Sequence, residues 1–172
     1  MSQLSIAYGR QRITQTRETG EAPLHFYAEL FVDQSPAVVW SYFVDLAKWM
    51  EWSPVCYGCR LKNNDRLQLD SVLEIRLRFF GVSIMIPARI VQFNPPEAIT
   101  WQGQKFGIDA THTYRFIPHN QGTLLCNEET ISGTRFSLSK LIAAWYRRSD
   151  LGCESLKGLK RELGKTTLGT VS

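Results

Sequence analysis

The stretch SPAVVWSYFVDLAKWMEW, Ser35 to Trp52, decides how the rest of the chain is read. Ser35 suits a helix N-cap, because its hydroxyl can accept from a free backbone N–H in the first turn. Pro36 suits the first helical position, where no donor is needed. Val39, Tyr42, Phe43 and Leu46 recur at helical spacing, and Trp40 and Val44 widen the stripe, so a buried helix is expected. Asp45 and Lys48 punctuate it before a second short turn, Trp49 to Trp52, and Pro54 stops any further helix. Such aromatic bulk beside a turn either closes a core or lines the mouth of a pocket.

Strands surround this stretch. PLHFYAELFVDQ before it is rich in aromatic and β-branched residues, and VCYGCRL after it reads as a second short strand. In SVLEIRLRFF, Leu73, Ile75, Leu77 and Phe79 alternate with Glu74, Arg76 and Arg78, the pattern of a half-buried antiparallel strand. Gly81 then predicts a tight hairpin into VSIMIPARIVQF, where Pro87 points to an edge position or a bulge. AITWQGQKF and IDATHTYRFIP flank Gly107, and TLLCNEETIS is the last strand, broken by Gly133. In IDATHTYRFIP, Ile108, Ala110, His112, Tyr114 and Phe116 share one face.

From Phe136 to about Leu163 the period becomes helical. Leu138, Leu141, Ile142, Trp145, Ser149, Gly152, Cys153, Leu156 and Leu163 trace one stripe that is bulky, then small, then bulky again. Gly152 costs helix stability relative to Ala. Either the helix comes close to a strand there, or Ser149, Gly152 and Cys153 leave a hollow beneath it.

At 172 residues, 44% of them hydrophobic, the chain fits one ordered domain with a substantial core. The expected layout is an N-terminal extension over 1–22, mobile or an edge strand, a domain over 23–165 and a tail over 166–172. No apolar run approaches a membrane span, and the N-terminus lacks the apolar core of a secretory signal, so a cytoplasmic location is the expectation. The net charge of +4 gathers after Thr134, in Arg135, Lys140, Arg147, Arg148, Lys157, Lys160, Arg161 and Lys165. That is either a solvated helix face or a weak attraction to an anionic membrane or acidic partner. No nucleic-acid-binding motif accompanies it. Cys56 and Cys59 form a single CxxC in a strand, where residues three apart face opposite ways, and Cys126 and Cys153 stand alone. All four read as small buried hydrophobes, with no metal or other cofactor implied.

Taken in order, one strand, two short helices, a run of antiparallel strands and a long last helix make an α+β chain. The phrases SPAVVWSYFVDLAKWMEWSPV, PPEAITWQG and GTLLCNEETISG in that order resemble the START-like, or SRPBCC, superfamily. The likeness is to its polyketide cyclase/dehydrase-like and coenzyme Q-binding branch, and it extends from about residue 24 over nearly the whole chain. It implies a helix-grip fold, a curved antiparallel sheet wrapped around the last helix with a cavity between them. It also implies that the short helices close one end of the sheet, that Trp49 and Trp52 sit near an entrance, and that Trp40 is core. The superfamily holds lipid carriers, hormone binders, aromatase/cyclases, ring-hydroxylase subunits and quinone-binding proteins, so fold alone does not give function. The iron ligands of the ring hydroxylases are not visible as a motif.

The cavity wall is therefore expected from Trp49, Trp52, Leu73, Ile75, Leu77, Trp101, Ile108, Ala110, His112, Tyr114, Trp145, Ser149, Gly152 and Cys153. His112 is the candidate acid or base, or the hydrogen-bonding group for a ligand carbonyl, and its alternative is a satisfied core histidine. Alternation sends only one of Glu128 and Glu129 inward, and His25 and His119 look peripheral. The leading reading is a non-catalytic carrier of a small apolar molecule such as a lipid, quinone or polyketide-like ring compound. A cyclase or dehydratase using His112 is the second. The third is an interaction module docking through its basic last helix. An enzyme needs His112, a carboxylate and a hydroxyl converging on one void, whereas a docking module needs a filled interior. Oligomeric state is not written in the sequence.

Overall fold

In the computed structural model, described here for residues 10–15, 23–63, 66–79, 81–133 and 150–168, eight strands form one antiparallel sheet. They are β1 (Arg10–Gln15), β2 (Leu24–Val32), β3 (Cys56–Leu61), β4 (Val72–Phe79), β5 (Val82–Asn94), β6 (Ala98–Lys105), β7 (Ile108–His119) and β8 (Gly122–Gly133). Their spatial order is β1-β2-β8-β7-β6-β5-β4-β3. From β3 to β8 each strand pairs with the next in sequence, and β2 then pairs with β8, so one long-range pairing brings the start of the domain beside its last strand. Part of the N-terminal extension is thus an edge strand, β1 on β2.

Between β2 and β3 lie α1 (Pro36–Phe43), a 3-10 turn (Leu46–Lys48) and α2 (Trp49–Trp52). Ser35 occupies the N-cap position and Pro36 the first turn, but the Ser35 hydroxyl makes no capping bond. The backbone carbonyl of Ser35 instead accepts from the Val38 and Val39 N–H groups. Val39, Trp40, Tyr42 and Phe43 are buried, as the apolar stripe required. The Trp49 indole donates to the Phe43 carbonyl at 2.7 Å and Tyr42 Oη to Glu51 at 2.8 Å, which locks α2 against α1. Trp40 packs on Phe93 and Phe116 in the core.

The last helix, α3, spans Leu151–Leu168 and lies across the concave face of the sheet, completing the helix-grip fold. A continuous helix from Phe136 is ruled out, because Asp150 has φ 46° and a right-handed helix cannot pass through it. Asp150 instead begins α3, its carbonyl accepting from Glu154 N–H. Residues 134–149, with Trp145 and Ser149, lie outside the described residues. Leu156, Leu159 and Leu163 are fully buried on the sheet side of α3, and Gly158 lets it touch α2: a Cβ there would stand 2.1 Å from the Trp52 carbonyl oxygen. No helix of the described residues is long and apolar enough to cross a membrane.

Pro87 lies inside the sheet order, not on an edge strand. Ile90 N–H and C=O both bond toward β4, to Ser71 and Asp70, so alternation turns the missing donor of Pro87 toward β6. Pairing with β6 starts only at Ala88, opposite Gly103, so Pro87 removes no ladder bond. It marks the point where β5 and β6 part.

Candidate functional site

Where β5 and β6 part, the concave face is hollow. Neighbouring strands stack their inward residues in rows. One row is Ala88, Gly103, Ala110 and Ile131. The next, one pleat deeper, is Ile90, Trp101, His112 and Glu129. Three members of the first row are too small to reach α3, and a cavity of about 440 Å³ opens over them. Ile75 and Leu77 of β4, Val82, Ile84 and Ile86 of β5, Trp49 and Trp52 of α2, and Leu151 and Ser155 of α3 complete most of the wall. Burial grades along it. Val82 and Phe106 are 61% and 60% exposed, whereas Tyr114 is 2% exposed. The mouth therefore lies between the β4–β5 and β6–β7 turns. Gly103 is also needed for closeness, since a Cβ there would lie 3.0 Å from Ile86 Cγ2.

The polar groups sit on the inner half of the wall. His112 Nε2 donates to Asn127 Oδ1 at 2.5 Å, and Asn127 is buried. A carboxamide oxygen only accepts, so the neutral ring carries its proton on Nε2 and keeps Nδ1 as an acceptor. The ring packs beside both Trp101 and Tyr114, with centroids 4.7 and 5.1 Å away. Burial, and then the carboxylate of Glu129, push the Tyr114 phenol well above its ordinary value, so it stays neutral. Its hydroxyl has no hydrogen-bond partner among the described residues. Glu129 is the inward glutamate, directly across from His112, while Glu128 pairs with Arg115 on the outer face. Among the described residues Lys105 is the cation of the wall, near the mouth, its ammonium 5.3 Å over the Phe106 ring. The Trp52 indole N–H is buried with no acceptor among the described residues.

Residues 23–164 match the family described as polyketide cyclase / dehydrase and lipid transport. The chain belongs to that family. Solved structures share its fold. An aromatase/cyclase, ZhuI, from Streptomyces sp. R1128 superposes with a TM-score of 0.70 at 12% identity, covering 84% of this chain and 96% of its own. The di-domain aromatase/cyclase StfQ of the steffimycin biosynthetic pathway gives 0.68 at 18% identity, covering 84% of this chain, which spans only 52% of that longer one. A START superfamily protein from Mycobacterium smegmatis gives 0.64 at 16% identity, covering 86% and 99%. At these identities the likeness is one of fold. Among curated proteins, none is significantly similar to this chain.

Within this family frame the expected wall divides. Trp49, Trp52, Ile75, Leu77, Trp101, Ile108, Ala110, His112 and Tyr114 meet on the cavity. Leu73 does not, being fully buried in the packed core. Gly152 and Cys153 do not either: α3 turns Leu151 and Ser155 to the cavity. Trp49 and Trp52 do not stand at an entrance; both are 4% exposed and packed on Phe43. The hollow comes instead from Ala88, Gly103 and Ala110, a signal scattered over three strands.

Cys56 and Cys59 also require correction. A bulge between Cys56 and Gly58 puts Cys56 opposite Leu77 and Cys59 opposite Ile75, so residues three apart share the inward face. Burial raises both thiols, which keeps them protonated and inert. Among the described residues no group of three or more His, Cys, Asp or Glu could hold a metal ion. The basic residues of α3 are engaged: Lys157 with Glu154, Arg161 and Lys165 with Glu162, and Lys160 with the Phe31 carbonyl.

Proposed function

We propose that this protein binds and carries a small, largely apolar molecule in the cavity between the sheet and α3. The observation that carries the reading is the hollow itself: a mostly apolar wall around about 440 Å³, with a few polar groups gathered on its inner half. Burial drives entry, and the gain grows by about 25 cal/mol for each Å² of apolar surface removed from water. The docking-module reading needed a filled interior, which is not met among the described residues. Native mass spectrometry of the purified protein tests the proposal. A bound apolar small molecule, lost on denaturation, is expected. A protein that emerges empty and leaves Nile red unbound contradicts it.

A second reading, a cyclase or dehydratase, is supported by one observation. His112, Glu129 and Tyr114 all line the same cavity. His112 Nδ1 would take a proton from an activated carbon, and the neutral phenol would donate to the oxygen on which charge develops. His112→Ala separates the two readings. For an enzyme, turnover falls 10²- to 10⁴-fold with ligand affinity largely kept. For a carrier, affinity changes by about 1 kcal/mol, the worth of one hydrogen bond.

A further inference from the structure

The polar groups of the cavity form an asymmetric set, and that asymmetry selects among ligands. Among the described residues, the titratable groups on its wall are Cys56, Lys105, His112, Tyr114 and Glu129. Lys105 lies at the mouth, over Phe106. Cys56 is a protonated thiol. The inner titratable groups are therefore His112, Tyr114 and Glu129, and the Trp52 indole N–H is a further donor beside them. His112 offers an acceptor, because its Nε2 proton is committed to Asn127. Glu129 is a pure acceptor and forms no hydrogen bond or ion pair with a described residue. Tyr114, 2% exposed and without a partner among the described residues, has a proton to donate. A neutral hydroxyl uses both kinds of group: it gives its proton to His112 or Glu129 and accepts from Tyr114. A carbonyl leaves both acceptors unanswered. A carboxylate cannot donate, and it would set a second negative charge beside Glu129.

Building on the reading of the cavity as a ligand site, we propose that it selects neutral hydroxyl-bearing molecules, alcohols or phenols, taken hydroxyl end first. Glu129 turns away carboxylates of the same shape. The rest of the ligand then lies along Ala110, Gly103, Ile84 and Ile86 toward the mouth, where the wall is apolar.

The test is displacement of Nile red at pH 7.5 by three molecules with the same apolar body: 4-hexylphenol, 4-hexylbenzoate and 4-hexylbenzamide. The phenol is expected to displace the dye at a concentration at least about tenfold below that of the benzoate. The uncharged benzamide should fall closer to the phenol than to the benzoate, which separates charge from shape without any mutation. Glu129→Gln should narrow the gap between phenol and benzoate at least about fivefold, by strengthening the benzoate. Equal displacement by phenol and benzoate overturns the inference, as does a benzoate preference, which would seat the carboxylate at Lys105. A gap that survives in a folded Glu129→Gln removes the role of Glu129. If Nile red binds and only the selectivity is absent, the carrier reading stands and this inference falls. If neither dye nor ligand binds, both fall.

Discussion

The two ends of the concave face follow the same alternation and reach opposite results. At the closed end, Phe43 is the hub: Trp49, Trp52, Tyr114 and Phe116 all lie within 5.5 Å of it, centroid to centroid. Leu125, Leu156, Leu159 and Leu163 fill the remaining space, each at most 2% exposed. At the open end the same strands present Ala88, Gly103 and Ala110, and the space over them stays empty. An inward position alone does not make core; the size of its row does. Protein interiors tolerate few voids, so a row of small residues spanning three paired strands marks a place where stability was not the property being served.

Substitutions on either side can break this contrast. Phe43→Ala removes the hub and should lower stability by about 3–5 kcal/mol, read by denaturant unfolding. Ile84→Ala, on the open wall, should cost no more than about 1–2 kcal/mol, because the side chain already faces a void. Equal losses would mean that the two ends are packed alike. Next in size is Gly158→Ala. A Cβ cannot occupy 2.1 Å from the Trp52 carbonyl oxygen, so α3 must shift off α2 at about 1–3 kcal/mol or more. A neutral outcome in thermal unfolding would contradict the close approach.

Per pH unit, the smallest effect is a pH dependence. The Cys153 thiol is pushed up to about 11 by burial, then by Asp150, and the Tyr114 phenol is raised further still. In the unfolded chain these groups ionise from their ordinary values of 9.0 and 10.0. Both folded values lie above the unfolded ones, so their contribution is whole below about pH 9 and declines as pH rises. The loss is on the order of 1 kcal/mol per pH unit for each group. A melting temperature that is flat from pH 9 to 11 would contradict it.

The fold was legible because its signals are local. The Ser35–Pro36 helix start, the alternation in β4 and β7, and the turns at Gly81 and Gly107 each sit within a few residues. The inward face of β7 was legible too, and with it His112 and Tyr114. The hollow was not, because it depends on register: Ala88, Gly103 and Ala110 become one row only when three strands pair. The small residues of the last helix gave a competing local signal, and Leu151 and Ser155 face the cavity instead. The CxxC misled for a related reason, since a one-residue bulge inverts the face of everything beyond it. Alternation left Glu128 and Glu129 as equals; only the pairing with His112 chose Glu129.

The central claim is that this row of small residues makes a ligand cavity, and Ala110→Leu tests it most directly. The added side chain would grow into the hollow from the middle of the row. Nile red affinity should fall at least about tenfold, roughly 1.4 kcal/mol, while the melting temperature stays within a few degrees of the parent protein. Unchanged dye affinity in a folded Ala110→Leu would contradict the account.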